Sequence, residues 1–351
     1  MRLPDDVNEP ERFSPIWIAA LFVVIIVALV LWLNRDNLAK SKTQKQETNL
    51  SVMQEQQEQV PPESTLSPEN FDFWDKYPES TPEPVVESTP EPVIEDPATD
   101  GKHTKIINED GEEEWVKIVQ SLPKHAYDFT KLVKRSEFMQ YLKDGKEVSF
   151  IGVDLSKYQE YVDFPKLKKA GVDFCMLRVG ARGYETGQLV LDSYFRENIK
   201  RASDAGLEIG VYFFSQAVTQ EEAIEEAQLV LDNIKEYEIL YPIAYDMEFI
   251  ENDTARVETL TRDERTTVAA AFLNHINNAG YTPMLYGDTE WLVKRIDVAK
   301  FNASCIWLAE EADIPKYPYR YEMWQYTTQG QVRGINGFVD LNISFVDYSA
   351  R

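Results

Sequence analysis

Histidine is nearly absent from this chain. Three occur in 351 residues, His103, His125 and His275, and none stands at metal-ligand spacing from another histidine or a cysteine. That removes the usual zinc arrangements and leaves a Ser-His-Asp triad without a placed base, since His275 falls on the face of a helical run, Leu273-Asn274-His275-Ile276. Cysteine is scarcer still. Cys175 and Cys305 each lie inside an apolar run and read as small core residues rather than a disulfide framework, although their pairing stays open from sequence alone. Positive charge is the third shortage: 36 Lys and Arg stand against 60 Asp and Glu, a net charge of -24. Such a chain has no cationic surplus to neutralise phosphates, which excludes nucleic acid as a partner. Whatever chemistry it performs must rest on carboxylates.

One long apolar run interrupts this polar composition. Residues 16–34, beginning IWIAALFVVIIVALVLWL, are long enough to cross a bilayer as a single helix, with Trp17 and Trp32 at interface depth. No small-x-small cleavage site follows, so the segment reads as a retained transmembrane anchor behind a short tail, residues 1–15. Flanking cations, Arg2 and Arg12 before it and Arg35, Lys40, Lys42 and Lys45 after it, lean toward a cytoplasmic C-terminal part. Residues 35–100 are rich in Gln, Glu, Ser and Pro and contain a tandem repeat, ESTPEPVV then ESTPEPVI from Glu79 to Ile94. This composition cannot bury a core and predicts a disordered, extended acidic spacer. Residues 101–149 regain apolar character. They read as a lead-in packed on the main domain, with an apolar run at Trp115–Val119 and a helical pattern across Leu132–Met139.

From residue 150 to 351 the pattern becomes regular. Extended runs fall at 150–155, 174–179, 209–215, 242–249, 282–287, 305–309, 321–326 and 338–342, with amphipathic helical segments at 164–170, 194–205, 221–237 and 266–279. Thr219-x-x-Glu222 and Thr261-x-x-Glu264 are capping-box signatures, and Gly171, Gly206 and Gly280 sit where helices should stop. Thr289–Ile296 can supply one more helix. The fold class predicted is α/β: an irregular TIM-like barrel of five β/α units plus three strands.

Catalytic groups of a parallel barrel come from the C-terminal ends of several strands. Asp246-Met247-Glu248 ends the fourth strand, and on an extended chain residues two apart share a face. Two carboxylates so held cannot both ionise cheaply, which supplies an acid and a base from one residue type, as glycosidic cleavage needs. Asp154 ends the first strand and Asp340 lies in the last. Acids embedded in buried strands cost free energy unless they have a partner or a task.

These strand ends carry a resemblance. Gly152-Val153-Asp154-Leu155-Ser156, Asp246-Met247-Glu248, Gly280-Tyr281-Thr282-Pro283, Trp307-Leu308-Ala309, Trp324-Gln325-Tyr326 and Gly337-Phe338-Val339-Asp340-Leu341-Asn342 resemble, in order, the motifs of glycoside hydrolase family 25, the Chalaropsis-type lysozymes or N-acetylmuramidases. The resemblance implies hydrolysis of the β-1,4 bond between N-acetylmuramic acid and N-acetylglucosamine in bacterial peptidoglycan, without a metal or organic cofactor. It implies Glu248 as proton donor and Asp246, Asp154 and Asp340 as the other active-site acids, Asp246 acting on the sugar directly or through its acetamido group. Tyr212, Tyr245, Tyr286, Trp307 and Trp324 then become candidates for stacking on sugar rings, and Arg178 for meeting acidic groups of the glycan or stem peptide, or else for an ion pair. The chain departs from the family's usual pattern at Phe213 and at Glu310-Glu311. With the anchor, the expectation is a single-pass cell-membrane protein whose barrel lies outside the cell, against the lean of the flanking charges. Two alternatives stand beside it: a non-catalytic, membrane-anchored wall-binding protein on the same barrel, and a related glycosidase of different bond specificity.

Overall fold

The computed structural model describes residues 96–108, 111–250, 254–301 and 305–350. The expected membrane span at 16–34 and all but the last five residues of the spacer lie outside the described residues. Among the described residues no helix is long and apolar enough to cross a membrane.

The segment before the barrel is built of strands. β1 (His103–Ile107) and β2 (Glu113–Lys117) form an antiparallel hairpin; β3 (Leu132–Arg135), β4 (Phe138–Lys143) and β5 (Lys146–Glu147) form an antiparallel meander. The helix expected across 132–139 is therefore corrected. Arg135 pairs with Phe138 across a two-residue turn, and Lys143 pairs with Lys146 across Asp144-Gly145, where φ is 52° and 75°. An Asp-Gly turn of that hand matches strand twist and commits 138–143 to a hairpin, overriding an apolar spacing that suits either period. Tyrosines hold the segment in place. Val119 N donates to the Tyr319 hydroxyl at 2.7 Å, the Tyr127 hydroxyl donates to Tyr321 O at 2.6 Å, and the Tyr127 ring stacks on Phe345 at 4.0 Å.

Eight strands then close into a ring: β6 (Phe150–Leu155), β7 (Phe174–Arg182), β9 (Glu208–Ser215), β10 (Ile243–Met247), β11 (Pro283–Asp288), β12 (Cys305–Ala309), β13 (Met323–Gly330) and β14 (Val339–Ser344), with short β8 (Leu189–Leu191) hairpinned onto β7 outside it. The first seven run parallel. β14 is antiparallel to both neighbours and seals the ring against β6. Helices α1 (Phe164–Ala170), α2 (Phe195–Asp204), α3 (Gln220–Ile234) and α4 (Arg262–Asn278) follow the first four ring strands. After the fifth, the expected helix is a single π-helical turn, Trp291–Arg295.

Local chemistry explains these boundaries. The Thr261–Glu264 capping box forms in full. At Thr219 only the hydroxyl half forms, because the Glu222 carboxylate takes Val218 N at 2.8 Å instead. Period-two alternation along the strands makes two cores. One face of each strand packs against the helices. The other fills the lumen with Phe174, Met176, Ala244, Met284, Cys305, Trp307 and Met323. Gly152 must be glycine for this plug to fit, since a Cβ there would lie 2.1 Å from Phe174 Cζ.

Candidate active site

Three strands deliver four acids to one end of the barrel. Asp154 lies next to last on β6, at the rim where the parallel strands finish. β14 runs the other way, so its beginning meets that rim, and Asp340 is the direct register partner of Asp154. On β10, Asp246 pairs with Tyr286 of β11 and Phe214 of β9. Glu248 follows just past the end of β10. The period of two turns Ala244, Asp246 and Glu248 to the lumen and sends Tyr245 and Met247 outward.

Asp154 is 5% exposed and anchors a chain of hydrogen bonds. Its Oδ2 accepts from Asn342 Nδ2 at 2.7 Å and from Gln325 Nε2 at 3.0 Å; Asn342 Oδ1 accepts from Trp307 Nε1 at 2.8 Å, and Gln325 Oε1 from the Tyr286 hydroxyl at 3.0 Å. Burial raises the Asp154 pKa, while the two amide donors and a hydrogen bond with Asp340 hold it back. Asp340 takes the other role in that pair. Burial and the Asp154 charge push it up to about 9, so it keeps its proton and donates it to Asp154.

The second pair comes from a single strand. Asp246 is 6% exposed, and its Oδ1 has no protein partner. Burial raises its pKa most, then the Glu248 charge, while Arg178 pulls it down. Glu248, half-buried nearer the opening, is pushed up to about 7 by burial and by the charges of Asp288 and Asp154. Acids bear on both carboxyls, and Asp246 has in addition the opposing charge of Arg178. Two carboxyls in this position hold a proton between them near neutral pH.

The aromatic candidates divide by strand face. Tyr212, Tyr286 and Trp307 line the lumen, with Trp307 meeting the edges of Tyr212 at 5.9 Å and Tyr286 at 4.8 Å. Trp307 forms a buried floor and the two tyrosines are partly exposed above it. Tyr245 and Trp324 are corrections. Tyr245 is fully buried behind the barrel, its ring against Phe272 at 4.7 Å and its hydroxyl bonded to Ser215. Trp324 is fully buried outside the lumen, donating Nε1 to Glu310 O at 2.8 Å. Each sits one residue from a lumen-facing group, and so faces away from any sugar. Arg178 forms an ion pair with Asp192 (Nη2 to Oδ2, 2.8 Å) beneath the exposed ring of Tyr158.

Gln325, Asn342 and Asp288 were not singled out from the sequence, nor were the exposed rings of Tyr158 and Phe338 at the rim. The two amides carried the same signal as the acids, a polar side chain flanked by apolar residues within a strand. Asp288, at the end of β11, accepts from Trp291 N at 2.6 Å and so fixes the π turn as well as facing Glu248. Among the described residues no group of three or more His, Cys, Asp or Glu is arranged to hold a metal ion.

A β/α ring with two coupled carboxyl pairs and an aromatic floor at its C-terminal rim is the apparatus of a glycoside hydrolase. The model of glycosyl hydrolases family 25 matches residues 153–335, just over half of the chain, and the chain belongs to that family. Asp340 falls beyond the matched span and joins the site through its pairing with Asp154. Over 197 residues the chain is 26% identical to YegX of Escherichia coli K12, itself uncharacterised, covering 55% of this chain and 68% of that one. It is 24% identical over 192 residues to an autolytic lysozyme of Clostridium acetobutylicum, covering 54% of each. The fold is also that of the modular autolysin LytC of Streptococcus pneumoniae, with a TM-score of 0.50 at 22% identity over 69% of this chain and 56% of LytC. LytC has also been solved with a synthetic peptidoglycan ligand. The chain thus spans little more than half the length of the clostridial lysozyme and of LytC.

Proposed function

We propose that this protein is a peptidoglycan hydrolase that cuts the β-1,4 bond between N-acetylmuramic acid and N-acetylglucosamine. The observation that carries the reading is the placement of the Asp246–Glu248 pair at the C-terminal rim of the barrel, one carboxyl toward the opening and the other behind it. Glu248 stands nearer the opening, and with its pKa pushed up to about 7 it is suited to protonate the leaving oxygen. Asp246 lies deeper, under the influence of Arg178, with an oxygen free of protein partners. In its anionic form it stabilises positive charge developing on the sugar, or orients the substrate's acetamido group to attack. Asp154 and the protonated Asp340 tune this pair and hold the sugar, with Asn342 and Gln325 fixing Asp154. Tyr212 and Tyr286 offer ring faces above the Trp307 floor.

In the same reading residues 16–34 tether the protein in the cell membrane, residues 35–100 act as a spacer, and the barrel works outside the cell, where peptidoglycan lies. A tether of that length concentrates the enzyme near the wall and confines its reach. The test is mass spectrometry of fragments released from purified peptidoglycan. New reducing ends of muramic acid are expected. Reducing-end glucosamine would move the assignment to a different bond, and no release would leave a wall-binding protein.

A further inference from the structure

The main chain leaving β10 is gripped on both sides of Glu248. Beyond it, the Phe249 ring lies between the guanidinium groups of Arg265 and Arg295, at 5.2 and 5.3 Å, and meets the Trp291 ring edge-on at 5.0 Å. On the other side stands Gln216, just past β9 and fully buried. Its Nε2 donates to the Glu248 carbonyl at 2.8 Å. The Gln216 main-chain carbonyl accepts from Arg256 Nη1 at 3.0 Å, and Arg256 Nη2 donates to Glu222 Oε1 at 2.8 Å. The Glu222 oxygen left over is the one that takes Val218 N, which is why the capping box at Thr219 is incomplete. Gly187 makes room for the arginine: a Cβ there would lie 2.8 Å from Nη1. The chain therefore departs at Glu248, fastened to the Gln216 side chain, and returns at Arg256, fastened to the Gln216 main chain.

Gln216 is a poor choice for stability alone. Its Oε1 is buried without a protein partner, and that unmet acceptor costs free energy that offsets what the bond to the Glu248 carbonyl contributes. We infer that Gln216, its main chain held by Arg256, is a positioning residue that sets the main chain of Glu248 at the barrel opening. The inference rests on the reading of Glu248 as proton donor. Glu248 also faces Asp246 on its own strand, Asp154 on β6, Asp288 and Tyr286 on β11 and Asp340 on β14. A change at Gln216 alters none of these groups.

The experiment is Gln216→Met in the full chain, read by kcat and KM on solubilised glycan strands, by the thermal midpoint, and by carbon-13 NMR titration of the Glu248 carboxyl. Expected are a kcat lower by about ten- to a hundredfold, the range that misplacement of a reacting group produces, an unchanged KM, a thermal midpoint little changed because the bond lost at the Glu248 carbonyl is offset by removal of the unmet Oε1, and a Glu248 titration displaced toward the ordinary glutamate range. Arg256→Lys, which cannot span both acceptors, moves kcat and the titration the same way by less. A kcat loss that merely follows a fallen midpoint, or an unmoved titration, overturns the assignment. If the wild-type protein releases no fragments, the functional reading fails by itself, and the Glu248 titration in the two variants still decides the clamp.

Discussion

The role proposed for Glu248 depends on what surrounds the residue rather than on what it is. Burial and two neighbouring acids hold its proton up to about pH 7. As an acid that must be protonated to act, it predicts a rate that falls as pH rises through that value. Glu248→Gln removes the donor while keeping the shape, and the expected loss in kcat is at least about a hundredfold with glycan binding retained. Steady-state rates beside a binding isotherm check this, and turnover near the wild-type level would reassign the acid. At this scale the sequence was informative about charge and uninformative about direction. The four acids stood out because ionisable groups rarely lie between apolar neighbours on a strand. Applying the same period of two to Tyr245, one residue before Asp246, and to Trp324, one residue before Gln325, would have turned both away from the sugar. It would also have brought Gln325 and Asn342 in.

Among the elements, β14 is the one whose direction matters most. Because it runs antiparallel, its first residues rather than its last meet the rim, which brings Asp340 onto Asp154. The pair makes stability depend on pH with a definite sign. The folded pKa of Asp340 is raised, so the folded state keeps a proton that the unfolded chain gives up. Its contribution is complete below the ordinary value of 3.8 and is lost as pH climbs toward about 9. Asp340→Asn keeps an N–H donor for Asp154 and removes this titration. The thermal midpoint of the variant minus that of the wild type is therefore expected to grow as the pH is raised from 4 to 9, and a gap independent of pH would show that the two carboxyls do not share a proton. The eight ring strands were legible from apolar runs and glycine stops. The direction of β14 was not, because an isolated strand reads the same both ways and only its ladder partners decide. The β3–β4 hairpin was missed because its apolar spacing fits two periods and the deciding signal, Asp144-Gly145, lies one hairpin later.

For the molecule as a whole, the proposed arrangement joins an acidic barrel to a membrane by a spacer. The cations flanking residues 16–34 favour one orientation and the substrate requires the other. Protease added to intact cells settles which prevails. Cleavage within the spacer, with release of a fragment containing the barrel, is expected; complete protection until the membrane is broken would place the barrel in the cytoplasm and remove peptidoglycan as its substrate. Mixed fold class and barrel closure were legible over this length because the motifs recur at the strand ends in order. The lead-in's tyrosine contacts with Tyr319 and Tyr321 were not legible, since they join residues about two hundred positions apart.

The bond that joins Asn342 to Asp154 spans 188 residues of chain. Seven parallel strands can be made and still leave an open edge, with Asp340 and Asn342, the β14 partners of Asp154, not yet synthesised. A polypeptide emerging from the ribosome therefore cannot assemble its acid cluster at any intermediate length. The order of the strands works as a safety catch: β10 carries Asp246 and Glu248 early, but the ring that frames them, and the Asp154–Asp340 pair beside them, close only when β14 arrives.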